Sequence, residues 1–256
     1  MKRFKNLKSE IKEKKGSFTV YLILRLIVLL ILIRSFFRAD YEGVFYCVLT
    51  LVLFVIPLFF EKKFKVTLPS ALETIIFLFI FSAEILGELN SYYLTVPHFD
   101  TILHTINGFI CAAFGFGLIN LLNRGVEKIN LSPLYLCIVA FCFSMTIGVL
   151  WEFFEFFMDT CFARDMQKDA VISTINSVKL HPEGKNIPVS IKGITSVYIN
   201  GEDLGLGGYL DIGLYDTMKD LIVNFIGALV FCIIGFLSLN GKKSHVVENL
   251  VPTAKK

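Results

Sequence analysis

Charge is what this sequence lacks. Only 18% of its 256 residues are Asp, Glu, Lys or Arg, and 55% are hydrophobic. An ordinary soluble domain carries about 25% charged residues. So few charges cannot cover the surface of a water-soluble fold of this size, and the excess apolar area needs another solvent. That excludes a disordered chain, a nucleic-acid binder and a cytosolic enzyme. The net charge of +3 is also too small to suggest a polyanionic partner. Proline occurs seven times and tryptophan once, whereas phenylalanine occurs 26 times. The six cysteines show no disulfide framework, because Cys47, Cys111, Cys137, Cys142 and Cys232 lie inside long apolar runs and only Cys161 sits at a boundary. They read as small buried hydrophobes.

What is present is a series of long apolar segments. A membrane-spanning helix needs about 20 mostly apolar residues. Six segments qualify, at 18–37, 43–60, 69–88, 100–122, 133–160 and 215–239. Pro133 after Ser132, and Pro69 after Thr67, fit helix starts with a capping hydroxyl nearby. No small-x-small cleavage site follows the first run, so a cleaved signal peptide is not expected.

Orientation follows from the basic residues. Residues 1–17 hold seven Lys or Arg, and Phe4, Leu7 and Ile11 recur there at helical spacing. The segment reads either as a surface helix on anionic headgroups or as a solvated basic tail. With this end inside, the inner segments hold those seven, Lys62, Lys63, Lys65, Arg124, Lys128, Lys242, Lys243, Lys255 and Lys256, which makes 16 of the 25 basic residues. Arg34 and Arg38 are discordant, and Arg25 can snorkel inward.

The expected fold is therefore an all-α polytopic membrane protein, a six-helix transmembrane bundle with a small β-structured extracytoplasmic insert. Its parts are a basic cytoplasmic segment (1–17), helices one to five (18–160), the outer insert (161–214), the sixth helix (215–240) and a cytoplasmic tail (241–256). Within the insert, Ile187–Lys192 and Ser196–Ile199 are β-prone, and Asn200-Gly201 is a hairpin signal because both residues tolerate positive φ.

Ionisable groups inside spans are costly and mark function. Here they fall on four helices: Glu84 and Glu88; Asp100 and His104, with Asn107 one turn on; Glu152, Glu155 and Asp159; and Asp216, Asp220 and Asn224. The third and fifth spans end, and the fourth and sixth begin, at the outer surface, so all four groups occupy one layer. Eight carboxylates cannot all ionise in a medium of lowered dielectric without protons, a cation or water. Carboxylates with one imidazole suit a divalent ion such as Mg, Mn, Ca or Zn. His104, Glu152, Glu155 and Asp220 are the expected ligands. Glu84, Glu88, Asp100, Asn107, Asp159, Asp216 and Asn224 are expected to support them or bind protons. Helix capping accounts for Asp100 and Asp216 without any ligand, and solvation for Glu88 and Asp159. No nucleotide or organic cofactor is indicated. Gly108, Gly115, Gly117, Gly148 and Gly227 read as points of close helix packing.

Three blocks carry a family resemblance: Phe99-Asp100 to His104 with Gly108; Trp151-Glu152 with Glu155; and Tyr215-Asp216-Thr217 to Asp220 with Gly227-Ala228. Together they resemble the YjdF-like family of bacterial membrane proteins. More remotely, the Asp-x-x-x-His pair and the Asp216, Asp220, Asn224, Gly227 stripe are similar to the VanZ-like proteins, which are linked with glycopeptide-antibiotic resistance. The insert 161–214 departs from both. The resemblance implies a bacterial plasma-membrane protein of largely unknown biochemistry and supplies no established catalytic residues, while the placement of the basic residues puts both termini in the cytoplasm. Three functions stay open. One is a cell-envelope protein whose cation site acts on lipids or lipid-linked precursors. The second is a cation- or proton-coupled transporter. The third is a non-catalytic accessory protein docking a partner through its outer cap.

Overall fold

In a computed structural model, residues 14–122, 131–241 and 245–254 are described. Among them, six helices are long and apolar enough to cross a membrane: Lys15–Phe37, Tyr41–Phe64, Ser70–Leu89, Phe99–Ile119, Pro133–Phe162 and Leu214–Leu239. Each coincides with an expected segment to within a few residues. The N-terminal surface helix and the basic residues Arg124, Lys128, Lys242, Lys243, Lys255 and Lys256 lie outside the described residues. The chain forms two compact units, Met1–Gly148 with Ile222–Lys256, and Val149–Leu221.

The first unit opens with α1 (Lys15–Phe37) and α2 (Tyr41–Leu53). Asp40 makes the turn between them: its carboxylate accepts from the Gly43 amide at 2.9 Å and from the Ser35 hydroxyl at 3.2 Å. That is an N-cap satisfying an otherwise orphaned helix amide. The second span is not one helix. It breaks at Phe54–Val55 and resumes as α3 (Ile56–Phe64), because Pro57 has no amide hydrogen to give the preceding turn. The third span, α4 (Ser70–Phe81), continues with π-helical hydrogen bonding through Ser82–Leu89. A short α5 (Tyr92–Thr95) leads into α6 (Phe99–Leu122). Most of α7 (Pro133–Phe162) and of α8 (Leu214–Leu239) also belongs here, followed by α9 (His245–Leu250).

Two apolar clusters hold this unit. One joins Leu24, Val28, Cys47, Phe54, Phe77 and Ile85 from α1, α2 and the third span. The other centres on Leu68, Leu72, Ile110, Ala112, Phe116, Ala140, Ala228 and Phe231. A partly buried charged cluster ties the start of α1 to α3 and α4. The Lys14 ammonium lies 2.6 Å from both Glu61 and Glu73. Glu73 also accepts from the Ser17 hydroxyl at 2.8 Å, and Glu61 from the Leu68 amide at 2.6 Å. Beside it, β1 (Val66–Thr67) pairs antiparallel with β8 (Thr253–Ala254), a contact no periodicity announces. Leu250 and Val251 are buried, and Pro252 packs so closely on Gly117 that a Cβ there would meet it at 2.8 Å.

The second unit holds the end of α7, the first two turns of α8 and the insert between them. The insert is β-structured, in three two-stranded pieces. β2 (Ala170–Ile172) pairs with β7 (Tyr209–Asp211), β3 (Thr174–Ser177) with β4 (Val189–Lys192), and β5 (Tyr198–Ile199) with β6 (Glu202–Asp203). The last pair is the expected hairpin. Asn200 and Gly201 both take positive φ, 53° and 90°, which turns the chain between Ile199 and Glu202 in two residues.

Candidate functional site

In the first unit, the polar face of α6 carries Asp100, His104 and Asn107 at steps of four and three residues, so they stack on one side of the helix. His104 Nε2 lies 3.4 Å from Asp100 Oδ1, and both side chains are mostly covered. One turn deeper, Asn107 donates to the Asn224 side-chain oxygen at 3.5 Å, and the Cys111 thiol donates to Asn107 at 3.5 Å. Beyond them the same helix becomes apolar, with Ile110, Ala112, Ala113 and Phe116 buried in the second cluster. The polar face of α6 therefore ends within the unit.

Asn224 on α8 is 1% exposed and sits at a crossing that only small residues permit. A Cβ on Gly108 would lie 2.1 Å from the Asn224 backbone oxygen, and one on Gly148 would lie 2.8 Å from its side-chain nitrogen. A Cβ on Gly227 would come within 2.0 Å of the Thr105 carbonyl. The buried Ser144 hydroxyl donates to the Gly108 carbonyl at 2.8 Å. α7 and α8 meet along a seam of small side chains. Cys137, Ala140, Ser144 and Gly148 recur every three or four residues on α7, and Asn224, Ala228 and Cys232 every four on α8. Phe141 and Phe225 stack edge to face at 5.0 Å along it, and Asn224 reaches Met145 Sδ at 3.6 Å. This is the small-residue packing that lets apolar helices approach. The glycines were legible in the sequence. Ser144 and Met145 were not singled out, although the small-residue stripe running to Gly148 was the signal for them.

Glu84 and Glu88 lie in the π-helical stretch of the third span, where Glu88 accepts from the Tyr46 hydroxyl at 3.3 Å.

In the second unit, Glu152, Glu155 and Asp220 are buried, at 5%, 7% and 1% exposure. The Trp151 indole donates to Glu155 at 2.8 Å, so this tryptophan orients an acid as well as facing outward. The Lys219 ammonium lies 3.4 Å from Asp216 and 3.7 Å from Asp220, and is itself nearly half exposed. Asp159 and Asp216 have a different employment. Asp159 accepts from the Met166 and Gln167 amides at 2.6 and 2.9 Å. Asp216 accepts from the Lys168 amide at 2.8 Å, and the Gln167 side chain donates to the Thr217 hydroxyl at 2.5 Å. These contacts fasten the chain leading into the first strand of the insert to both helices, a role that spacing on the helices alone does not reveal.

The polar groups thus divide by job. Asp159 and Asp216 hold the insert, Asn107 and Asn224 pack a helix crossing, and Asp100 orients His104. Glu152, Glu155 and Asp220 are the acids withdrawn from water.

Comparison with known proteins gives no match among curated proteins or solved structures. The six apolar helices fit an integral membrane protein. A family model described as predicted membrane protein (DUF2238), the family the YjdF-like resemblance pointed to, matches residues 20–241, and the chain belongs to that family.

Proposed function

We propose that this protein binds a divalent cation at the extracytoplasmic ends of its helices and uses it on the phosphate of an envelope lipid or lipid-linked precursor. The observation that carries the reading is the burial of Glu152, Glu155 and Asp220 in otherwise apolar helices. Ionised carboxylates withdrawn from water need a positive partner. Lys219, nearly half exposed, lies 3.7 Å from Asp220. Carboxylates together with one imidazole, the residue types of Glu152, Glu155, Asp220 and His104, are a donor set that suits Mg, Mn, Ca or Zn. The seam between α7 and α8 supports the assignment of Glu152. One helical turn from Gly148 leads to Glu152, and one turn from Asn224 leads to Asp220, so the same helix faces continue into the acidic segment.

In this reading His104, Glu152 and Asp220 are ligands, Asp100 fixes the imidazole, and Glu155 is held by the Trp151 indole as a ligand or base. A bound cation would polarise a phosphoryl oxygen or acidify a water. The placement of the basic residues supports both termini being cytoplasmic in a bacterial plasma membrane, an orientation that puts the acids at lipid-headgroup depth on the outer side.

The transporter reading is disfavoured by the apolar residues that terminate the polar face of α6. A cation path would need polar groups to continue past Ile110 and Phe116. The test is the metal content of purified protein, wild type against Glu152→Gln, Asp220→Asn and His104→Ala. Bound metal in the wild type that each substitution removes is the expected result. Equal metal in all four proteins, or none in any, would sink the site. Ion flux into liposomes that disappears in the same variants would establish transport instead.

A further inference from the structure

One charge in the first unit stands apart from the acidic layer. α1 carries Arg25 in the middle of its apolar run. At 1.5 Å per residue it lies about 15 Å along the helix from Lys15 and about 14 Å from Arg34, the nearest charges on either side. Together those lengths match the roughly 30 Å of hydrocarbon in a bilayer, so Arg25 is rooted midway through it. The residue is exposed. Its guanidinium turns back by one helical turn, donates to the Tyr21 hydroxyl and lies 5.6 Å from the centre of that ring. Tyr21 is held in turn by Phe77, with ring centres 5.2 Å apart. Tyr21 itself is about 9 Å along α1 from Lys15, so the arginine turns toward the headgroups and is stopped short of them. Among the described residues, no carboxylate forms an ion pair with Arg25.

Charged side chains within spans face protein or a water-filled cavity and pair with an opposite charge. A lipid phosphate stays in the headgroup layer and does not reach this depth. We propose that this face of α1 docks a membrane-spanning helix of another protein, one that presents an Asp or Glu carboxylate to Arg25. Tyr21 accepts from Nη1, which leaves the Nε and Nη2 hydrogens as a fork for two carboxylate oxygens. The apolar neighbours suit a helix as well. Phe18, Leu22, Arg25 and Leu29 are all exposed and recur at steps of four, three and four residues, the spacing of a seam between helices. A second copy of this chain is the poorer occupant. In the first unit the acids within spans stand near helix ends, Glu61 and Glu73 around Lys14, and Glu84 and Glu88 at the far end of the third span. A two-fold axis along this face would also bring Arg25 toward its own copy.

The test uses the full chain, labelled with a donor dye at its C-terminus, in phosphatidylcholine vesicles at neutral pH. The probe is a synthetic membrane-spanning peptide of Leu and Ala with one central Glu and an acceptor dye. The expected result is energy transfer several-fold above that to the same peptide with a central Gln. Transfer should vanish with Arg25→Leu, whereas Arg25→Lys, which keeps the charge without the fork, should retain part of it. It should vanish with the wild type too when the Glu is moved to the end of the peptide, which tests depth on the unaltered protein. Equal transfer to the Glu and Gln peptides, or transfer that Arg25→Leu leaves intact, would overturn the proposal. So would transfer between donor-labelled and acceptor-labelled copies of the wild type that Arg25→Leu abolishes, since a second copy would then occupy the face.

Discussion

Two sets of buried carboxylates in this protein invite comparison. In the first unit, Glu61 and Glu73 converge on Lys14 at 2.6 Å each, with Ser17 and the Leu68 amide completing their hydrogen bonds. In the second, Glu152 and Asp220 are as deeply buried as Glu73, but the cation beside Asp220 is a half-exposed lysine at 3.7 Å. All four are carboxylates, and Glu73, Glu152 and Asp220 are buried while Glu61 is partly so. The difference is in the cation: the first set meets a lysine that is mostly covered, and Asp220 lies beside one that is nearly half exposed. Burial of an acid within an apolar helix is therefore to be read together with the cation beside it.

Substitution separates the two sets most sharply. Lys14→Met leaves two carboxylates buried without their ammonium, and should cost on the order of 3 kcal/mol, read as a lowered unfolding temperature. Adding Glu73→Gln should recover much of that loss. Glu152→Gln and Asp220→Asn should do the reverse, abolishing bound metal while leaving the metal-free protein within about 1 kcal/mol of wild type, because each removes a buried charge. A large destabilisation of metal-free Asp220→Asn would show that both sets are structural and erase the contrast.

The crossing of α6 and α8 comes next in size. Gly108→Ala must push the Asn224 backbone oxygen, which cannot give as a flexible side chain would, and Gly227→Ala must push the Thr105 carbonyl. Each should cost about 1–3 kcal/mol. Gly235→Ala meets only aromatic ring atoms at 3.5 Å or more and should be close to neutral, which makes it the control. Equal melting temperatures for all three variants would remove the crossing as a constraint on the polar face.

Much of this was legible because local chemistry dictates it. Six apolar runs became six long helices, Pro133 began α7, and Asn200-Gly201 turned a hairpin. Apolar length and positive-φ tolerance are properties of a short stretch of chain, and nothing distant overrides them. The partners of the acids were not legible in the same way. Lys14 finds Glu73 across 59 residues, Asp216 finds the Lys168 amide across 48, and Thr67 pairs with Thr253. Those meetings depend on how helices pack, and helical spacing reports which face a residue occupies without reporting what stands opposite. The break at Phe54–Val55 was missed although Pro57 was visible, since a proline early in a helix is as compatible with a start as with a kink.

Asp159 tests the division of labour within the second unit. Its two oxygens each accept a backbone amide, from Met166 and Gln167. Asp159→Asn keeps one acceptor and turns an amide group toward the other N–H, so about 1–2 kcal/mol of anchoring should be lost. Hydrogen exchange should quicken in β2 and its partner β7, with metal content unchanged. Metal lost along with the anchoring would move Asp159 from the insert to the site.

The smallest effect concerns Asp169, at the head of β2, whose pKa is raised by desolvation and by repulsion from Asp165, Asp211 and Asp159, with Lys168 opposing. A raised carboxyl pKa means that the folded insert binds the proton more tightly than the unfolded chain does. The favourable contribution is therefore complete in acid, below the unfolded value, and is lost as pH rises through the folded one. At neutral pH the charged form is a mild burden, and Asp169→Asn should slow hydrogen exchange in the β2–β7 pair slightly. Below the ordinary carboxylate range the wild-type side chain is neutral as well, and the two proteins should exchange alike. Because Asp169 is largely exposed, solvent screening keeps the difference small. An Asn variant that exchanged faster at neutral pH would mean that Asp169 is held by an attraction, and would transfer it from the repelling acids to the fastening ones.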